Sequence, residues 1–213
     1  MKPQLNTIIW DFNGTLLHDV DAIIDANNEI NRRYGIPPIT KEHYRQHFSY
    51  PPMAFYEAMG YNFKEIPYEK ISAEFIACYQ EKQAACGLTP GVLAALEEFC
   101  RRGMEQMVFS AHNQQLLEEK LEQLGVKHYF SHIDGEEGVV VTGKVQRAKG
   151  LAARRDLSRA LLIGDTSHDF ETAAALGCAC ALFSGGHEDA AQLQKNNAPV
   201  FETIEALTEY ILK

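Results

Sequence analysis

Asp11 closes the short apolar run Ile8-Ile9-Trp10 and leads into Phe12-Asn13-Gly14-Thr15; Asp165 closes a second run, Leu161-Leu162-Ile163-Gly164, with Asp169 four residues on. That spacing is about one helical turn, so a helix starting there carries both carboxylates on one face. Carboxylates gathered with room for water make a hard oxygen-ligand cluster. It suits Mg²⁺, which is usually held by one or two carboxylates plus substrate phosphate. Phosphoryl charge brought to such a cluster needs matching. Thr15 with the backbone amides of Asn13-Gly14-Thr15, the hydroxyl of Ser110 after Met107-Val108-Phe109, and Lys144 at the start of a helical segment could supply the match. With a metal holding one phosphate oxygen, the Asp11 carboxylate can attack phosphorus in line.

Each piece also has a plainer meaning. Asn-Gly between hydrophobic runs is the strongest short-range hairpin signal. Ser110 can be a helix cap, Lys144 a solvated lysine, and Asp165 to Asp169 a capped helix start. The hairpin needs a second alternating strand after Gly14, and none is present. Instead Leu16, Val20, Ile23, Ile24, Ala26, Ile30 and Tyr34 recur at helical spacing, with Asp19 placed as the cap and Gly35 as the stop. The first strand therefore delivers Asp11 to a loop.

The elements that must position these side chains follow from the rest of the chain. Residues 16 to about 86 read as four helical segments broken at Gly35–Pro38, Ser49–Pro52 and Gly60–Phe63, with no strand. From Leu88 the texture changes to helix and strand in alternation. A helix capped by Thr89 with Pro90 in its first turn stops at Gly103; a strand ending at Ser110, a helix, short strands around His132 and at Val139–Thr142, and a helix from Lys144 follow. Then come a strand to Asp165, a helix from Ser167, a strand over Cys178–Phe183 and a C-terminal helix from Glu202. Such alternation predicts an α/β fold: a mostly parallel sheet with helices on both faces. The helical block is then an insertion after strand one, giving a core of residues 1–15 and 87–213 and an inserted all-α domain of residues 16–86. In an open parallel sheet, ligands bind beyond the carboxyl ends of the strands. Asp11, Ser110 and Asp165 all sit at such ends.

The bulk properties fit this organisation. The 213 residues, 46% hydrophobic, can furnish a sizeable core. A net charge of -9 and the lack of a dense Lys/Arg block argue against nucleic acid or a membrane surface as partner. No signal core or transmembrane run is seen, so the expected location is the cytoplasm, as a monomer or homodimer. Cys78, Cys86, Cys100, Cys178 and Cys180 are an odd, scattered set, expected as reduced thiols, with Cys178 and Cys180 packed on one strand face.

Taken together the motifs resemble those of the haloacid dehalogenase-like hydrolase superfamily. DFNGT resembles its first motif, VFS its second, Lys144 of TGKVQ its third and GDTSHD its fourth, over Asp11 to Gly177. The helical insertion resembles the cap of the phosphoglycolate phosphatase and β-phosphoglucomutase branch. The resemblance implies a Rossmann-like core, a Mg²⁺ ion on Asp11, Asn13, Asp165 and Asp169, and an aspartyl-phosphate on Asp11. It also implies phosphate contacts from Gly14, Thr15, Ser110, Ala111 and Lys144, and a mobile cap closing over a small phosphorylated metabolite.

One position departs from the pattern. Where the family's phosphatases carry a second aspartate, which protonates the leaving oxygen and then activates water, this chain has Asn13. An amide cannot transfer that proton, though its backbone carbonyl can still serve the metal. General acid–base help is worth about 10² to 10⁴ in rate. The expectation is slow turnover of alkyl phosphates, better activity on aryl or acyl phosphates, and a persistent phospho-Asp11. His18 or His112 could substitute as acid or base, and Asn13-Gly14 could deamidate. A binding-only protein, or a phosphonatase-like enzyme using a cap lysine such as Lys41 or Lys64, stays open; dehalogenation does not need the metal carboxylates retained here.

Weaker features complete the reading. His43 with His47, and His128 with His132, do not complete a zinc site and are expected at the surface. Ser49–Pro52 either faces the substrate or only joins two helices, and Ser184-Gly185-Gly186-His187, which follows a strand end, reads as a surface turn first and as a border of the crevice second.

Overall fold

The computed structural model describes residues 5–137 and 143–213. Strand β1 (Thr7–Trp10) is followed by four helices, α1 (Val20–Arg33), α2 (Lys41–His47), α3 (Met53–Met59) and α4 (Tyr68–Gln83). The alternating half comprises α5 (Val92–Arg101), β2 (Glu105–Asn113), α6 (Gln114–Gln123), β3 (His132–Glu136), α7 (Lys144–Ala152) and β4 (Ala160–Gly164). It ends with α8 (Ser167–Leu176), β5 (Ala179–Phe183), α9 (Ala190–Leu193), β6 (Val200–Phe201) and α10 (Ile204–Leu212).

The six strands form one sheet in the order β3-β2-β1-β4-β5-β6, every pairing parallel. This is a doubly wound order, and the chain reverses its direction of travel across the sheet between β1 and β4. The crevice at that reversal opens beyond Trp10 and Gly164, where Asp11 and Asp165 follow. The Asp11 amide still donates to Ile163 O at 2.8 Å, so the two acidic loops leave the sheet together.

The sheet is buried on both faces because its strands are apolar at nearly every position. Ile8, Trp10, Val108 and Ile163 pack on one face against Leu96 and Phe99 of α5, Leu117 and Leu121 of α6, and Ile204 and Leu207 of α10. The alternate residues Ile9, Met107, Phe109 and Leu162 pack on the other face against Ala148 and Leu151 of α7 and Ala173 and Leu176 of α8. The period of two seen at Ile8, Ile9 and Trp10 is what assigns each side chain to a face. The helices α1–α4 have their own apolar clusters, Ala26, Ile30, Tyr56, Tyr61 and Ile71 in one and Val20, Tyr44 and Phe55 in another.

Three local expectations need correction. Asp19 precedes α1 but makes no side-chain cap, because its carboxylate is turned into the protein. Thr89 does not cap α5; the cap position is Gly91, at φ 84°, and Thr89 is buried before it. The strand that was expected to end at Ser110 runs on to Asn113 after a register shift against β3, and Asn113 rather than Ser110 caps α6, its side chain accepting from Leu116 N at 3.1 Å. The expected strand at Val139–Thr142 lies outside the described residues. β6 and α9 are additional to the expected elements. All five cysteines are unpaired, and Cys178 and Cys180 pack on the same apolar cluster. No helix among the described residues is long and apolar enough to cross a membrane.

Candidate active site

The carboxylates of Asp11, Asp165 and Asp169 are buried, and one oxygen from each lies within 4.8 Å of the others. Three glycines, Gly14, Gly164 and Gly186, make this approach possible, Gly186 leaving room for Asp165 from the loop after β5. A Cβ at Gly14, which sits at φ +75°, would run into the Asp165 carboxylate, and one at Gly164 would meet the side chain of Asp169. Asp169 is held at the start of α8 by a reciprocal cap. Its Oδ2 accepts from Thr166 N at 3.0 Å and Thr166 Oγ1 at 2.7 Å, and Thr166 Oγ1 accepts from Asp169 N at 3.3 Å. Asp165 accepts from Thr15 Oγ1 at 2.8 Å through one oxygen and from His187 N at 2.7 Å through the other.

Lys144, at the first position of α7, is buried among these groups. Its ammonium donates to Asp11 and, at 2.5 Å, to Asp169. Three carboxylates thus face a single lysine. Burial pushes the Asp11 carboxyl up to about 8 against the pull of Lys144, with Asp169 and Asp165 adding to the rise. Burial and the neighbouring Asp169 likewise raise Asp165. Burial also raises Asp169, but Lys144 and Thr166 outweigh it and hold its carboxyl below the ordinary value. For Lys144, burial disfavours the charge, yet Asp11 and Asp169 overcome it and the lysine stays protonated. A buried excess of oxygen-only negative charge is the donor chemistry that a hard divalent cation satisfies, so the residues fit Mg²⁺.

Ser110 is buried and its Oγ accepts from His112 N at 3.0 Å, while its carbonyl accepts from Arg147 of α7. Arg147 also pairs with Asp134 at 3.0 Å and with Glu136, tying α7 to β3 and so fixing where Lys144 enters. Ser110, Ala111, Lys144, Asp11, Asn13 and Asp169 all border one cavity of about 260 Å³. Thr15 and Asp165 lie just behind it, joined to each other.

Asn13 has a partner that local sequence does not announce. Its Nδ2 donates to Asp19 Oδ2 and to the Tyr79 hydroxyl, both at 2.7 Å. Tyr79 of α4 donates in turn to Asp19, and Gln83 Nε2 donates to the Tyr79 oxygen at 2.7 Å. Asp19 Oδ1 accepts from Gly14 N at 2.7 Å. Asp19 is therefore the anchor of the Asn13-Gly14 loop. The spacing before α1 resembles a cap, and only burial of the carboxylate separates the two roles.

His187 decides between the two readings of its segment, against the surface turn and for the crevice. It is 5% exposed, borders the cavity, and its ring faces Tyr44 OH at 3.2 Å and Asp19 Oδ1 at 3.7 Å. The segment follows the carboxyl end of β5, on the same edge as Asp11 and Asp165, which opens the crevice reading without settling it. The Ser49–Pro52 segment also reaches the site. Tyr50 and Pro52 border the cavity, and Tyr50 stacks on His168 of α8 at 4.2 Å. His18 is exposed, and His112 packs beside Phe12 at 5.5 Å, where burial lowers its pKa; neither lines the cavity. Lys41 pairs with Asp21 at 2.9 Å and Lys64 is exposed, so neither is brought to the site. His43 and His47 are exposed and stack on each other; His128 is exposed and His132 half-buried.

The remaining wall comes from the helical block: Tyr44, Phe48, Phe55, Tyr56 and Phe75 with Ile23. An acidic, lysine-bridged floor thus meets an aromatic roof. This arrangement can hold a dication and a phosphate group against an Asp11 carboxylate, with the rest of an ester lying among rings.

Comparison with known proteins agrees with the architecture. A phosphoglycolate phosphatase of Synechococcus elongatus is 24% identical over 191 residues, 87% of this chain and 86% of that protein. Tyrosine-protein kinase PtkA of Mycobacterium tuberculosis is 27% identical over 223 residues, 98% of this chain and 72% of that protein. Among solved structures, a haloacid dehalogenase-like family hydrolase from Streptococcus pneumoniae superposes with a TM-score of 0.79 at 19% identity, covering 97% of this chain and 99% of that one. The family model described as haloacid dehalogenase-like hydrolase matches residues 8–183, from the first strand through the fifth. The span takes in the three carboxylates and Lys144, and the chain belongs to the haloacid dehalogenase-like hydrolase family.

Proposed function

We propose that the protein is a Mg²⁺-dependent phosphatase of small phosphorylated metabolites, working in the cytoplasm, with Asp11 as nucleophile. In this reading residues 16–86 are a cap over a core of residues 1–15 and 87–213. The observation that carries it is the buried Asp11-Asp165-Asp169 cluster bridged by Lys144 at the reversal point of the sheet. The phosphatase names of several relatives support the reaction class. The five unpaired cysteines suit a reducing compartment.

Asp11, Asp165 and Asp169, with the backbone carbonyl of Asn13, would hold Mg²⁺, which when bound supplies charge neutralisation at the phosphate. Lys144, the Ser110 hydroxyl and the Ala111 amide would hold the remaining phosphate oxygens; the amides after Asn13 are bonded within the protein, Gly14 N to Asp19 and Thr15 N to Phe12 O. An oxygen of Asp11 forms a bond to phosphorus as the ester P–O bond breaks, and the leaving oxygen departs with the electron pair. Water then attacks the phosphorus of phospho-Asp11, releasing phosphate and restoring the carboxylate. Asn13 positions the loop but moves no proton in either step.

The test is an acid quench after mixing the protein with Mg²⁺ and an aryl phosphate, scoring released phenol and phosphate retained on Asp11. A burst of phenol with phosphate on Asp11 supports the reading, and Asp11→Asn should lose both. A second reading, a phosphate-ester-binding protein without turnover, draws on Asn13; it predicts ester binding with neither phenol nor phosphoenzyme.

A further inference from the structure

We propose that the ester this site cleaves has an aromatic leaving group, and that it is not a carboxylate-bearing ester such as phosphoglycolate. This rests on the phosphatase reading above and narrows its substrate.

Two independent observations point the same way. The first is the composition of the cavity roof. Phe48, Phe55, Tyr56 and Phe75 line it, and the rim residue Tyr50 is 43% exposed beside the opening. Phe48 and Phe75 are only half-buried by the protein, so they keep ring surface for a guest. Among the described residues lining the cavity, Lys144 is the sole Lys or Arg, and its ammonium serves Asp11, Asp169 and, in the reading above, the phosphate. Arg45, next to the lining residue Tyr44 in sequence, donates to the carbonyls of Ser184 and Gly186 instead. His168 and His187 also border the cavity, but His168 pairs with Glu171 through Nδ1 and the His187 ring faces Tyr44 and Asp19, so a substrate carboxylate entering here would shed water without gaining a fixed cation, which is unfavourable. An aryl ring would exchange water for offset and edge-to-face ring contacts. A volume of about 260 Å³ suits a small ester of this kind.

The second observation is the state of Asn13. Its amide is spent on Asp19 and Tyr79, and an amide cannot protonate a leaving oxygen. An alkoxide, about as basic as hydroxide, leaves poorly without a proton. A phenolate, whose conjugate acid has a pKa of about 10, can leave unprotonated. The roof and Asn13 therefore select the same chemical class, one by contact and one by leaving-group basicity.

Four esters separate the two effects: phenyl phosphate (ring, acidic leaving group), benzyl phosphate (ring, basic leaving group), acetyl phosphate (no ring, acidic leaving group) and 2-phosphoglycolate (no ring, carboxylate, basic leaving group). With Mg²⁺, phenyl phosphate should have the highest kcat/KM. Benzyl phosphate should match its KM but turn over slowly, acetyl phosphate should turn over with a KM raised about tenfold, and phosphoglycolate should be poor in both. Phe48→Ala should shrink the phenyl-to-acetyl KM advantage about tenfold, a ratio that a lowered fraction of folded enzyme does not move. Equal KM values for phenyl and acetyl phosphate, or phosphoglycolate as the best substrate, overturn the aromatic proposal and leave the phosphatase reading intact. No turnover of any of the four, acetyl phosphate included, overturns both.

Discussion

The Asn13 amide donates to the Asp19 carboxylate at 2.7 Å, with the Tyr79 hydroxyl closing the triangle from the helical block. Asn13 is thus a donor matched to a buried acceptor, and an aspartate in its place would meet a like charge. Like charges raise a carboxyl pKa, which is the condition a general acid needs at neutral pH.

Asn13→Asp should therefore raise kcat for benzyl phosphate, by about 10² and up to 10⁴, while changing phenyl phosphate much less. The matched measurement is kcat for both esters in wild type and variant. No gain on the basic leaving group would mean that the position lies too far from the ester oxygen to act on it.

Lys144→Met should cost roughly 3 to 5 kcal/mol, because it leaves Asp11 and Asp169 buried without their cation. Mg²⁺ should recover more stability in the variant than in wild type, since the dication then faces the full carboxylate charge. Chemical denaturation with and without Mg²⁺ reads both. An unchanged midpoint in the metal-free variant would show that the pair contributes nothing net.

The pH response follows from Asp11 and Asp165. The folded pKa of Asp11 is raised by burial to about 8 from 3.8, and burial with the neighbouring Asp169 raises Asp165 in the same sense, so the folded, metal-free protein keeps protons that the unfolded chain has already lost. Stability must then fall as pH rises between those values. His112, lowered by burial, works in the opposite sense, but only below its ordinary 6.5. From pH 6.5 to 8, the Asp11 share of the drop in metal-free stability should be up to roughly 1 kcal/mol per pH unit. Mg²⁺ should flatten the slope and Asp11→Asn should reduce it, with Asp165 carrying the remainder, and an equally steep slope in Asp11→Asn would remove Asp11 from the account.

Gly14→Ala should weaken both fold and metal binding. The position needs φ +75°, costing about 1 to 2 kcal/mol for a residue with a Cβ, and the new methyl would strike Asp165. Calorimetric titration of Mg²⁺ should show a loss of affinity larger than that of Gly35→Ala, which also has positive φ but open space around it. Equal losses would argue against the contact with Asp165.

Much of the site was legible because it depends on short-range rules. A carboxylate closing an apolar run marks a strand end, two carboxylates four apart mark a helix face, and alternating elements imply parallel strands whose ends open on one side. Asp11, Asp165 and Asp169 were found that way, and Lys144 by its place at a helix start. Ser110 was found although its strand continues to Asn113, since the register shift against β3 is invisible without the partner strand. The apolar residues facing either side of the sheet likewise followed from period two.

Asp19, His187, Tyr79 and the aromatic roof were decided only by the tertiary structure. A carboxylate before a helix reads as a cap whether it faces water or is buried, and Asp19 becomes an anchor because α4 brings Tyr79 over it. His187 follows a strand as any turn residue does; its burial depends on Tyr44 of α2 packing above it. The roof rings recur at ordinary core spacing in the sequence. Which of them pack on each other and which are left facing the acidic floor is set by how α1–α4 dock against the sheet, a long-range balance of burial that no local pattern carries.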